Sequence, residues 1–125
     1  MINTEVNFNA LIGKTLTEIE VNAGKDNITF RCDDGTIFNM FHEQNCCENV
    51  TVDDICGALV DILGSPIIMA DESTSYENPK SDYDNSFTWT FYKLATIKGY
   101  VTIKWYGESN GYYSEDVSFF ESNEE

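Results

Sequence analysis

The sequence predicts an α+β domain. It would be mostly antiparallel β-sheet, with one main helix at about residues 53–63 packed on a face and a three-stranded meander at the C-terminal end. Three observations predict it. Short runs with period-two alternation recur along the chain, as in NITFRC (27–32) and SFTWTFYKLA (86–95). The run DICGALVDILG (54–64) instead places Ile55, Leu59, Ile62 and Leu63 at i, i+4, i+7 and i+8, the stripe of an amphipathic helix. Between the alternating runs stand Asp33-Asp34-Gly35, TIKG and GESNG, which are turn sequences.

In chain order, NFNALIGKT reads as a short helical turn ending at Gly13. KTLTEIEVN follows as a strand with Thr17, Ile19 and Val21 of one parity. NITFRC places Ile28, Phe30 and Cys32 on one face, and the Asp-Asp-Gly turn pairs it with TIFNMFHE. That partner carries apolar residues on both faces, Ile37 and Phe41 against Phe38 and Met40, as a central or covered strand does. NVTVDD is a short extended piece before the helix, with Thr51 or Asp53 as its cap and Gly64 and Pro66 as its stop. PIIMAD reads as a buried strand, and the acidic, aperiodic residues 71–85 as a surface loop. The last three strands alternate strictly: Phe87, Trp89 and Phe91 oppose Thr88, Thr90 and Tyr92; Val101, Ile103 and Trp105 oppose Tyr100, Thr102, Lys104 and Tyr106; Tyr113, Val117 and Phe119 share a face. Residues 121–125 read as a frayed acidic tail, and residues 1–125 as one domain.

Charge narrows the function classes. Twenty-two acids against seven Lys and Arg give a formal charge of −15, which repels nucleic acid and anionic membrane and favours a partner protein with a basic surface. No apolar run is long enough to span a membrane, and MINTEVNFNA lacks the basic and apolar regions of a signal peptide, so the chain reads as cytoplasmic. In that compartment an even number of cysteines does not imply disulfides, and Cys56, in an apolar run, reads as a small core residue.

Three segments hold residues with chemistry. In FHEQNCCEN (41–49), His42, Cys46 and Cys47 are zinc-binding types, and Cys32 on the neighbouring strand would complete a set, but the spacing has no CxxC or HxxxH pair. A Cys/His nucleophile pair is the alternative there, and a strand end breaking into a turn, without metal, is the favoured reading. The pairs Asp33-Asp34 and Asp53-Asp54 are explained by a hairpin turn and a helix N-terminus, and the alternating acids of a calcium loop are absent. In WYGESNGYYSED (105–116), aromatic residues flank a polar turn, the composition of a recognition loop. Its alternation buries Trp105 and Tyr113 and leaves Tyr100, Tyr106, Glu108, Ser109, Asn110 and Tyr112 to bind a partner. No sequence feature calls for a cofactor, and His42 pairs with nothing by motif, so a non-enzymatic binder is the leading expectation. A small-ligand or signalling-nucleotide binder is the second, with tyrosines stacking on a base, and a Cys/His metal protein or enzyme the third. An exposed sheet edge would also permit a homodimer.

The runs MFHEQNCCENVTVDDICGAL (40–59) and FTWTFYKLATIKGYVTIKWYGESNGYYSEDVSF (87–119), together with Asp-Asp-Gly and LGSPIIMADE, resemble a family of small acidic proteins of bacteriophages and prophages, over about Leu11 to Phe119. The family is a domain of unknown function, so the resemblance implies a setting and no catalytic residues. That setting is a bacterial cell in which the chain inhibits or modulates a host protein, such as one of a defence system. The resemblance also implies that the His–Cys–Cys segment and the Gly-Glu-Ser-Asn-Gly-Tyr-Tyr loop, Gly107 to Tyr113, sit near each other.

Overall fold

The computed structural model describes residues 3–123. Its strands are β1 (Asn3–Glu5), β2 (Leu16–Val21), β3 (Asn27–Cys32), β4 (Thr36–Phe41), β5 (Asn49–Cys56), β6 (Met69–Ser75), β7 (Ser86–Thr96), β8 (Gly99–Ser109) and β9 (Ser118–Asn123). They form two antiparallel sheets, ordered β1-β9-β4-β3-β2 and β5-β8-β7-β6. The only helical pieces among the described residues are two four-residue 3₁₀ turns, Phe8–Leu11 and Leu59–Ile62.

The expected α+β class is therefore corrected to all-β: there is no main helix at 53–63. Val50, Thr51, Val52 and Ile55 are β-branched and fit a pleated surface better than a helix. Val50 and Val52 turn inward, and β5 pairs with β8 through Val52↔Trp105 and Ile55↔Ile103, with a bulge that leaves Asp53 unpaired between them. Gly57, at φ 107°, ends the strand, and the Ile55–Leu63 stripe is divided between β5 and a 3₁₀ turn. Cys56 is correspondingly exposed, not a core residue. The C-terminal meander is also corrected. β7 and β8 form a hairpin in full register, but β9 crosses to the other sheet and pairs with β4 and β1. The polar stretch from residue 71 belongs to β6 as far as Ser75, so only residues 76–85 form the irregular segment. β9 likewise takes up residues 121–123 of the expected tail; 124–125 lie outside the described residues.

The core lies between the sheets. One sheet contributes Ile28, Phe30, Phe38, Met40 and Phe119; the other contributes Val52, Leu94, Val101, Ile103 and Trp105. The indole Nε1 of Trp105 donates to the Met40 sulfur at 3.1 Å across the interface. Register keeps each face consistent: Phe30 pairs with Phe38, Met40 with Phe119 and Leu94 with Val101. β7 is placed with its more polar face inward. Thr88, Thr90 and Tyr92 are buried, while Phe87, Trp89 and Phe91 are half-buried on the outside. Trp89 donates to the Asn78 carbonyl and meets the Tyr106 ring edge-on at 4.6 Å, so residues 76–85 fold over this outer aromatic face.

Candidate functional site

The segment after β4 closes on itself around one carboxylate. Glu48, almost fully buried, accepts hydrogen bonds from the backbone amides of Asn45 (2.8 Å) and Cys46 (2.9 Å). His42 Nε2 donates to the same carboxylate at 2.7 Å. His42 Nδ1 lies 2.6 Å from the Asp116 carbonyl oxygen, tying residues 41–49 to the segment that precedes β9. Burial opposes the Glu48 charge, but the hydrogen bonds from His42, Asn45 and Cys46 outweigh it and hold the carboxyl down at about 2. Both ring nitrogens face oxygen atoms of the chain itself, so each is engaged within the fold. Cys46 and Cys47 are joined in a vicinal disulfide. An even cysteine count did not imply that bond, and with it neither sulfur is a thiol nucleophile. Cys32 is buried at the turn end of the β3–β4 hairpin, the opposite end from His42, and burial pushes its thiol up to about 11. The metal candidates Cys32, His42, Cys46 and Cys47 are thus not gathered. Among the described residues no group of three or more His, Cys, Asp or Glu is arranged to hold a metal ion.

The expected recognition residues divide. Tyr100 is exposed, but it sits at the far end of β8 from Glu108, eight residues or roughly 26 Å along the strand, so it does not belong to the tip. Tyr106 is buried, contrary to expectation. It lies on the outer face of β8 beneath residues 76–85, donates to Asp84, and its oxygen accepts from the Lys80 amide at 3.2 Å. Burial and the Asp84 carboxylate push its hydroxyl up to about 12. Glu108, Ser109 and Asn110 do line a depression of about 220 Å³, together with Cys47, Glu48 and Tyr113. Tyr112 is fully exposed beside it. The two segments linked by the resemblance therefore do meet. The turn is held from inside by Glu115, a buried acid that sequence reasoning overlooked: its carboxylate accepts from Thr88 Oγ1 at 2.8 Å and from Ser109 Oγ.

On the other side of the His42–Glu48 clasp lies a larger cleft of about 570 Å³. One wall is Glu5 of β1, Glu43 just past β4, and Asp116 and Ser118 at the start of β9; the other is Glu72 and Thr74 of β6 with Thr90 of β7. Four carboxylates line it and no Lys or Arg does. Three of the seven Lys and Arg pair elsewhere: Lys14 with Asp34, Arg31 with Glu18, Lys80 with Asp53. Glu5, Glu72 and Asp116 were not selected from the sequence, and Glu43 only as an acid near the His–Cys–Cys segment. They come from four separate stretches, and only the strand order brings them together.

Fold and seam together define a two-sheet, all-antiparallel β protein with an acidic cleft where the sheet edges meet. Residues 9–119 match the family described as a domain of unknown function, DUF7448, and the chain belongs to that family. No curated protein and no solved structure matches it. No helix among the described residues is long and apolar enough to cross a membrane.

Proposed function

We propose that this chain is a non-enzymatic binding protein that engages a partner protein with a basic surface, through the acidic seam between its sheets. The observation that supports the reading is the unneutralised cleft. Glu5, Glu43, Glu72 and Asp116 face one space, while Lys14, Arg31 and Lys80 are engaged elsewhere. Carboxylates without counter-charges raise the local negative potential, which attracts and orients a basic partner. Glu108, Asn110 and Tyr112, beyond the clasp, extend the same face with adaptable polar groups and an exposed ring. In the phage setting that the sequence resemblance implies, the partner is a host protein that the chain inhibits or modulates in the bacterial cytoplasm. A phosphate-bearing ligand has less support, because neither depression offers a Lys or Arg.

Affinity purification from a bacterial lysate, read by mass spectrometry over a salt series, tests the proposal. The expected result is a basic protein retained at low salt, released as salt rises, and lost when Glu5, Glu43, Glu72 and Asp116 are changed to their amides. Retention indifferent both to salt and to these substitutions would remove the reading.

A further inference from the structure

We infer that the cleft between β1, β9 and the end of β4 on one side and β6–β7 on the other binds an organic cation, an alkylammonium or guanidinium group. The inference rests on the proposed function and names the chemistry that this cleft recognises. Glu72 and Asp116 stand on facing walls, Glu5 and Glu43 line the same space, and the His42 ring borders it. Partial desolvation raises the proton affinity of Glu72, and the Asp116 charge raises it further, as expected of acids sharing a space that no Lys or Arg lines.

One further observation points into the same space, and a second lies next to it in the fold. Thr90 is 3% exposed, lines the cleft, and its hydroxyl has no hydrogen-bond partner among the described residues. Behind it, the Tyr92 hydroxyl is wholly buried and also has no partner. Burial, and after it the charges of Glu72 and Asp116, raise the proton affinity of Tyr92, so this hydroxyl lies under the influence of the same two acids. Glu72 is the cross-strand partner of Tyr92, which puts both on one face of the sheet.

An N–H-bearing cation satisfies this arrangement. It donates to the carboxylates with charge-assisted hydrogen bonds and to the Thr90 oxygen, which has free acceptor capacity. An anion is repelled by sign. A divalent metal fits poorly, because no three of the acids are placed to ligate one ion. The volume of about 570 Å³ accommodates a long cationic side chain or a short diamine.

The test titrates the ¹⁵N-labelled full chain with 1,5-diaminopentane and with agmatine at low salt, following amide shifts. The expected result is saturable binding, with shifts confined to residues lining the cleft. E72Q/D116N should weaken it by about tenfold or more, through loss of charge-assisted hydrogen bonds. E20Q/D33N removes the same charge at the β2 edge and the β3–β4 turn, away from the cleft, and should change it by less than about twofold. Glu72 and Asp116 are exposed and hold up no core, so the melting temperature of E72Q/D116N should not fall. Thr90→Val, nearly isosteric, should weaken binding by a few-fold with the fold intact. Equal weakening by the two double variants, or shifts that never saturate, would overturn the inference, as would magnesium chloride producing the same saturable shifts. If neither probe binds while a basic protein is still captured, the inference falls and the wider function stands. If the probes bind the cleft but no basic protein is captured, the reverse holds.

Discussion

At the scale of single residues, buried polar groups distinguish what the fold uses from what it tolerates. Glu48 is used. Its carboxyl is held at about 2, below its ordinary 4.5, so the stability it contributes is fully present above pH 4.5 and is lost as pH falls through about 2. Glu48→Gln should therefore lower the urea midpoint at neutral pH, and the gap from the native chain should close towards pH 2. A gap that persists unchanged at pH 2 would contradict the ionic role. Tyr92 is tolerated. Its hydroxyl is buried without a partner, so Tyr92→Phe removes a desolvation cost and should raise stability by about 1 kcal/mol in urea unfolding. The sequence drew attention to His42, Cys46 and Cys47 by residue type. Type alone could not show that both nitrogens of His42 are already engaged, or that the partner drawing the segment together is Glu48.

At the scale of elements, alternation was a reliable guide and the helical stripe was not. β3, β4, β7 and β8 stand where period-two patterning places them, with β4 central in its sheet as its two apolar faces require. The Ile55–Leu63 pattern failed because four apolar residues over nine positions also fit a strand followed by a turn, and the β-branched residues preceding it favour the strand. The outward face of β7 was ambiguous for a related reason. Aromatic and threonine-rich faces are both good strand surfaces, and only the covering segment 76–85 makes the aromatic face the outer one. Tyr106 is the anchor of that segment. Tyr106→Phe removes its hydrogen bonds with Lys80 and Asp84, so limited proteolysis should cut within residues 76–85 faster while the strands stay protected. Gly107 has a different cause from the turn that its sequence context suggests. It lies inside β8, where an added Cβ would come within 2.9 Å of the Glu115 backbone oxygen and 3.1 Å of Val50. Gly107→Ala should cost about 1–3 kcal/mol by overpacking, measured by denaturant unfolding. Gly111, at φ 96°, is the glycine that the turn itself requires.

At the scale of the whole molecule, the sequence showed the charge but not its placement. A formal charge of −15 states that a basic partner is favoured, and composition goes no further. The cleft acids Glu5, Glu43, Glu72 and Asp116 share no motif and span most of the chain. They meet because β9 leaves the β7–β8 hairpin and inserts between β1 and β4, a crossing that local patterning cannot encode. Glu108, Ser109 and Asn110 line one depression because they are contiguous in sequence, which local patterning can show. The measurement that bears most directly on the acidic seam is quantitative capture of basic protein by three forms of the chain, native, E72Q/D116N and E20Q/D33N, at matched ionic strength. The account predicts that the native chain and E20Q/D33N retain the same partner to the same extent and that E72Q/D116N loses it. Equal retention by all three forms would contradict it.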